Sequence, residues 1–249
     1  MTEPRNSDFR FSNAVDAAKA PAIRCREVTL HIKKKTILDR VSFEIPAGSL
    51  AGLLGPNGAG KSSLMRILTG MVPPSSGQAE LFCAPVGPER LGVLSFLPDR
   101  GQLPPYLGAG EWLRLAAGLY PDWSEARMEE LIERLGVDRG QRIGAMSRGQ
   151  EARLQLLTCL SRQAPIIILD EPFAGVDMVS RESIAQAVVG ELADGERTFL
   201  IATHDIREME NLFDRIVLIG NGRMLGCHDV EELRAGGRSV ESCYREVFA

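Results

Sequence analysis

Gly55-Pro56-Asn57-Gly58-Ala59-Gly60-Lys61-Ser62 fits the pattern GxxxxGK(S/T) at every position, with Ser63 following. Glycines let backbone N–H groups converge on phosphate oxygens, and a helix opening at the end of the loop adds about half a positive charge. Lys61 is then placed to reach β- and γ-phosphates, and the Ser62 hydroxyl to ligate Mg²⁺. A second run, Ile166-Ile167-Ile168-Leu169-Asp170-Glu171, delivers two carboxylates after four apolar residues. If those four form a strand of a parallel sheet, the carboxylates emerge at the end where such sheets hold ligands. Asp170 is expected to bind Mg²⁺, directly or through water, and Glu171 to orient and deprotonate a water in line with the γ-phosphate. The structural alternatives are a glycine turn that merely precedes Lys-Ser and an acidic, solvated strand end. The elements flanking the loop disfavour both.

Those elements are legible in the hydrophobic pattern. Ser49–Leu54 is a short continuous apolar run, as expected of a strand buried on both faces of a parallel sheet, and Leu64, Ile67 and Leu68 recur at helical spacing just after the loop. Alternation from Ile23 to Ile32 predicts a half-buried strand. Ile37–Phe43, Gln78–Phe82, Gly92–Leu97, Phe199–Ala202 and Ile216–Ile219 also carry strand character. From Gly110 to about Gln163 the period changes to that of a helix. One predicted helix carries Trp112, Leu113, Leu115, Ala116 and Leu119. The next is expected to open at Asp122 as N-cap with Glu125 three residues on, and to bury Met128, Leu131, Ile132 and Leu135 before Gly136. A third runs from about Gln150 to Ser161, and a further helix from Ser180 to about Leu192. The pattern is a strand-and-helix core interrupted by an all-helical insertion.

The composition bounds what this core does. With 249 residues, 44% hydrophobic and 25% charged, the chain is an ordinary globular one, long enough to bury a core without metal or disulfide staples. Twenty-nine basic residues against 33 acidic leave a net charge of −4, which argues against a nucleic-acid partner. The five cysteines form no CxxC pair, and with three scattered histidines they make no zinc pattern; reduced thiols of a cytosolic protein are expected. The N-terminal segment lacks the apolar stretch of a secretory signal, and no apolar run approaches the ~20 residues that span a bilayer.

Three further segments identify a family. Met146-Ser147-Arg148-Gly149-Gln150 precedes an apolar helix, Asp170-Glu171-Pro172 leads into Ala174-Gly175-Val176-Asp177, and Thr203-His204-Asp205 follows the next strand. In this order and spacing the chain resembles an ATP-binding cassette (ABC) ATPase over roughly residues 22–235, within it most like the ATPases of ABC-2-type, bacitracin-resistance-like exporters. The resemblance implies an α/β fold. Its core is that of a P-loop NTPase, a RecA-like parallel sheet with flanking helices plus N-terminal antiparallel β strands, with an inserted α-helical subdomain at about 100–162. A flexible arm is expected at 1–21 and a short tail, either a dimer-contacting helix or a frayed end, at 236–249.

The resemblance also implies roles. Gly55 to Ser63 would hold ATP, with Mg²⁺ on Ser62 and Asp170. Ser147, Gly149 and Gln150 match the signature motif, which contacts the γ-phosphate held by the other chain of a dimer. Asp177 matches the D-loop carboxylate at the dimer interface, and His204 the switch histidine that hydrogen-bonds the γ-phosphate. Glu171, His204 and Lys61 are thus the expected catalytic set. Three positions depart from the family. Asp99 stands after Pro98 where the Q-loop usually has glutamine; it can ligate the metal but cannot donate a hydrogen bond. Ile32 occupies the adenine-stacking position and offers van der Waals contact without π-stacking, so weaker or less base-selective nucleotide binding is expected. Arg148 replaces the first signature glycine, with no loss of function expected.

The implied partners are a second cassette, identical or different, and integral membrane permease subunits, which would hold the protein on the cytoplasmic face of the membrane. Trp112, Tyr120 and Trp123 are expected either to form a docking patch for the permease or to pack inside the helical subdomain. The competing reading is a soluble single-cassette ATPase, for example of the iron–sulfur assembly type, with no permease.

Overall fold

The computed structural model describes residues 20–99, 103–192, 195–204 and 209–249. The alternation that begins at Ile23 becomes β1 (Pro21–Ile32), and a turn at Lys33-Lys34 folds the chain back as β2 (Lys35–Pro46). The glycine-rich loop lies between β3 (Leu50–Leu54), buried at every residue, and α1 (Lys61–Leu68). A hairpin of β4 (Ser76–Leu81) and the two-residue β5 (Ala84–Pro85) comes after it. Gly92 and Val93 close a 3₁₀ turn rather than opening a strand, so β6 begins at Leu94 and ends at Leu97.

Three helices come next: α2 (Ala109–Leu119), α3 (Glu125–Leu135) and α4 (Arg148–Leu160). The core then resumes with β7 (Ile166–Asp170), α5 (Met178–Leu192), β8 (Thr198–Thr203), β9 (Arg215–Gly220) and β10 (Arg223–Asp229). Two short helices complete the chain, α6 (Val230–Ala235) and α7 (Val240–Phe248), so the tail is helical. Of the expected N-terminal arm, residues 1–19 lie outside the described residues, and Pro21 already belongs to β1.

The strands form two sheets. The antiparallel one has the order β2-β1-β4-β5; the other has the order β10-β9-β3-β8-β7-β6, parallel throughout except for β10. The parallel sheet is apolar on both faces because both are covered. Ile166, Ile168, Leu200 and Ala202 face α1 and the antiparallel sheet, while Ile167, Leu169, Phe199 and Ile201 face α4, α5 and the other helices.

The insertion is tied to the core by buried charge. Glu191 of α5 accepts from Arg127 of α3 and, at 2.8 Å, from Arg197, whose guanidinium also donates to the carbonyls of Leu160 and Arg162. Burial, then the neighbouring Arg127 charge, holds the Arg197 guanidinium below its ordinary value. Beside this network Arg162 clasps Asp122 at 3.0 Å, donates to Leu94 O at 2.8 Å and lies under the Tyr120 ring, 4.5 Å from its centroid. Asp122 is therefore not the N-cap of α3. Ser124 takes that place, its hydroxyl accepting from Arg127 N, while Asp122 serves as counter-ion to Arg162. The two tryptophans pack inward against the helical side of the core, with Trp112 Nε1 donating to Thr158 Oγ1 at 2.9 Å.

Removing the charge of Glu191 leaves two arginines without their shared counter-ion, and breaking such a buried pair costs about 3 kcal/mol or more. Glu191→Gln is expected to lower the melting temperature by roughly 6–12 °C in thermal unfolding. An unchanged melting temperature would show that the cluster contributes nothing to the union of insertion and core.

Candidate active site

The parallel register sets three strand ends at one level. Leu54 of β3 lies opposite Thr203 of β8, and Asp170 of β7 opposite Ala202. The segments that leave these strands therefore meet at the same edge: the glycine-rich loop after β3, Glu171 after β7 and His204 after β8. Two glycines of the loop are required by space and by backbone. A Cβ on Gly55 would lie 2.1 Å from the Ile219 carbonyl oxygen, and Gly60, which caps α1, has φ +109° with Leu38 packed against it.

Lys61 opens α1 and is buried, its Nζ donating to Gly55 O at 2.8 Å and to Pro56 O at 3.4 Å. The same ammonium lies 3.3 Å from Glu171 Oε1. The other Glu171 oxygen, Oε2, is 2.9 Å from His204 Nδ1 and accepts from His204 N at 3.4 Å. An ionised carboxylate can only accept, so Nδ1 is the donor in this contact. Glu171 has φ +51°, rare for a residue with a Cβ, and its own N–H donates to Ala202 O at 2.8 Å. Glu171 thus combines a strained backbone with a carboxylate held between Lys61 and His204.

Asp170 is 3% exposed, and its Oδ1 has no hydrogen-bond partner. Burial pushes its carboxyl up, the Ser62 hydroxyl that hydrogen-bonds it pulls down, and the charges of Asp99 and Glu171 push up again. A buried oxygen without a donor, next to a hydroxyl and a second carboxylate, is an all-oxygen set suited to a hard cation such as Mg²⁺. Among the described residues no group of three or more His, Cys, Asp or Glu side chains forms a metal cage of its own. Such a cation would take its remaining ligands from water and phosphate, the usual arrangement for Mg²⁺.

The expected site residues thus fall into separate groups. Lys61, Ser62, Asp170, Glu171 and His204 converge with the loop, and Asp99, two residues after β6, is close enough for its charge to act on Asp170. Ser147, Gly149, Gln150 and Asp177 form a second group at the N-termini of α4 and α5. Ser147 caps α4 in a reciprocal pair with Gln150, the Gln150 N–H reaching Ser147 Oγ at 3.2 Å and Ser147 N reaching Gln150 Oε1 at 2.8 Å. Asp177 caps α5 through Ser180, whose N–H and hydroxyl hold its carboxyl below the ordinary range. Ile32 stands apart at the end of β1, paired with Lys35 and 51% exposed. Sequence reasoning missed Tyr244 of α7. Its hydroxyl is pushed up by burial and then by the charge of Glu171, which brings the tail near the site. Only an amphipathic pattern marked that segment.

Several known proteins are similar to this chain. The family model described as ABC transporter matches residues 38–174. The Nod factor export ATP-binding protein I of Neorhizobium galegae is 35% identical over 225 residues, 87% of this chain and 64% of that protein. The manganese transport system ATP-binding protein MntB of Listeria monocytogenes is 30% identical over 217 residues, 82% of this chain and 89% of the relative. A solved structure described as the ATP binding subunit of an ABC transporter superposes with a TM-score of 0.82 at 24% identity, covering 92% of this chain and all of the other; it speaks to the fold alone.

A charged hydrogen bond is worth about 1.5–3 kcal/mol. Lys61→Ala is therefore expected to weaken ATP binding roughly tenfold or more, measured by titration with a fluorescent ATP analogue. Wild-type affinity would remove Lys61 from the phosphate site.

Proposed function

The chain belongs to the ABC transporter family of ATP-binding cassettes, whose members hydrolyse ATP, and from that premise we propose that it is the ATP-hydrolysing subunit that powers a separate membrane permease, in the direction of export. The observation that carries the catalytic part is Glu171, held by Lys61 on one oxygen and by His204 on the other beside the buried Asp170. Phosphate oxygens arriving at the loop compete with Glu171 for Lys61. The carboxylate is then free to orient a water and take its proton, while His204 keeps it aligned from the other side. Ser62 and Asp170, with Asp99 as a further oxygen donor, would hold Mg²⁺, which would supply positive charge to offset that of the phosphates. Gly55 to Ser63 cradle the phosphates, and Ile32 lies against the base.

One cassette over residues 22–235 carries this activity, with the helical subdomain at about 100–162. In this reading two chains close on two ATP molecules, and Ser147, Gly149 and Gln150 of each face the γ-phosphate held by the other. The placement of Ser147, Gly149, Gln150 and Asp177 at the N-termini of α4 and α5, rather than on the phosphate loop, supports that arrangement. So do Met178 and Val179, exposed at 77% and 71% beside Asp177, which offer apolar surface to a partner. Because the Asp177 carboxylate is occupied in capping α5, its part at the interface is to shape that surface.

The permease partner is supported by a cleft of about 180 Å³ between core and insertion, lined by Phe96, Leu103, Trp112, Tyr120, Thr158 and Arg162 among others. Trp112 thus packs inward yet presents an edge to the cleft. No helix among the described residues is long and apolar enough to cross a membrane. A separate permease, and with it a place on the cytoplasmic face of the membrane, is supported by the relatives named as export or transport system ATP-binding proteins. The export direction is supported by the resemblance to ABC-2-type ATPases and by the Nod factor export relative. The net charge supports no nucleic-acid role.

Two experiments test the proposal. Glu171→Gln is expected to bind ATP and accumulate as a dimer in size-exclusion chromatography while phosphate release falls by about 10²-fold or more; undiminished release would exclude Glu171 as the base. Affinity purification of the tagged protein from its host in mild detergent is expected to bring down stoichiometric multi-spanning membrane proteins, whose identity gives direction and cargo. A purely soluble partner set would leave the ATPase standing and move the function to a soluble single-cassette role.

A further inference from the structure

Arg148 is the first residue of α4, directly after the Ser147 cap. It lies over Gly175, which has φ +69°: a Cβ there would stand 3.0 Å from Arg148 Nη1 and 3.6 Å from its Cδ. The next residue closes the contact. A Cβ on Gly149 would fall 2.4 Å from Asp177 Oδ2 and 2.5 Å from Ser180 Oγ, so the first turn of α4 lies directly against the cap of α5.

The segment under Arg148 is stiff. Ala174 N donates to Glu171 O at 3.0 Å, Val176 N to Phe173 O at 3.3 Å, and Phe173 and Val176 are anchored in the core. Arg181 adds a bond from Nε to Val176 O at 2.9 Å. Three residues separate Gly175 from Glu171, and both line, with Arg148, one cleft of about 440 Å³. A stiff turn between packed anchors passes displacement on rather than absorbing it.

We propose that Arg148 is a positioning residue which couples the signature turn of a chain to the Glu171 carboxylate of the same chain, through Gly175 and the turn of residues 171–176. Each chain then hydrolyses its own ATP at full rate only when its signature turn is seated on the ATP of the partner. The inference rests on the dimeric ATPase reading above. The residue that departs from the usual signature glycine thereby links the two sites of the dimer within one subunit. A glycine at 148 has no side chain to make this link.

The test compares wild type with Arg148→Gly, Arg148→Lys, Gly175→Ala and the double variant Arg148→Gly/Gly175→Ala. Turnover is measured over a range of ATP concentrations, and the ATP-dependent dimer is quantified separately in the Glu171→Gln background. Arg148→Gly is expected to lower kcat about tenfold, with KM for ATP and dimer affinity within about twofold and the melting temperature unchanged, since Arg148 is exposed. Arg148→Lys, which keeps the stem over Gly175, is expected to recover part of that loss. The double variant should lose no more than the worse single, because both act on one contact. An unchanged kcat would overturn the proposal. So would a parallel fall in kcat and dimer affinity, which would mean that Arg148 acts on the partner's nucleotide instead. Absence of ATP turnover and of an ATP-dependent dimer in the wild type would instead overturn the dimeric ATPase reading itself.

Discussion

The parallel pairing of β3 with β8, and of β8 with β7, sets Leu54 opposite Thr203 and Asp170 opposite Ala202. Backbone hydrogen bonds enforce that register along strands buried on both faces. A slip of one residue would turn every apolar side chain to the wrong layer. The chemistry depends on it, because the phosphate loop, Asp170 with Glu171, and His204 belong to three different strands and meet only where the strands end together. The two cores reinforce the constraint: Ile166 and Ile168 fill one, and Ile167 and Leu169 the other.

On that fixed edge the site stores opposing tendencies. Asp170 is buried with an oxygen left without a donor, and Glu171 holds a backbone conformation that side chains rarely adopt. Lys61 and His204 divide the oxygens of Glu171 between them. The unpartnered oxygen and the strained backbone cost folding free energy, and the surrounding apolar packing over-determines the arrangement. In the proposed function a cation and phosphate oxygens would relieve the same tendencies, since they would supply a partner for Asp170 and a competitor for Lys61. Ligand affinity and catalytic readiness therefore have one physical source.

The helical insertion is joined to this edge in two ways. At its base the cluster of Arg127, Glu191 and Arg197, with Arg162 and Asp122 beside it, binds α3 and the end of α4 to α5 and the start of β8. At its tip the first turn of α4 rests on the cap of α5, with Arg148 over Gly175. The base is buried and charged, the tip exposed and small.

The glycine loop, the carboxylate pair after four apolar residues and the strand-helix alternation were readable directly, because each is a local pattern whose period or spacing carries its own physics. The helical insertion was readable for the same reason. Local pattern erred where a tertiary partner overrode it. Asp122 reads as an N-cap but is taken by Arg162, forty residues on, so Ser124 caps instead. Gly92 and Val93 read as strand but close a 3₁₀ turn. The tail, undecided in sequence, becomes α7 because Val240 and Cys243 find the core, and that in turn brings Tyr244 under the charge of Glu171. By itself the sequence determined the glycine-rich loop pattern, the carboxylate pair and the elements that carry them, since those are properties of short segments. Only the tertiary structure decided that Glu171 lies between Lys61 and His204, that Asp177 is engaged in a helix cap, and that Arg148 rests on Gly175. Those contacts join segments far apart in the chain, and strand register and packing alone bring them within reach.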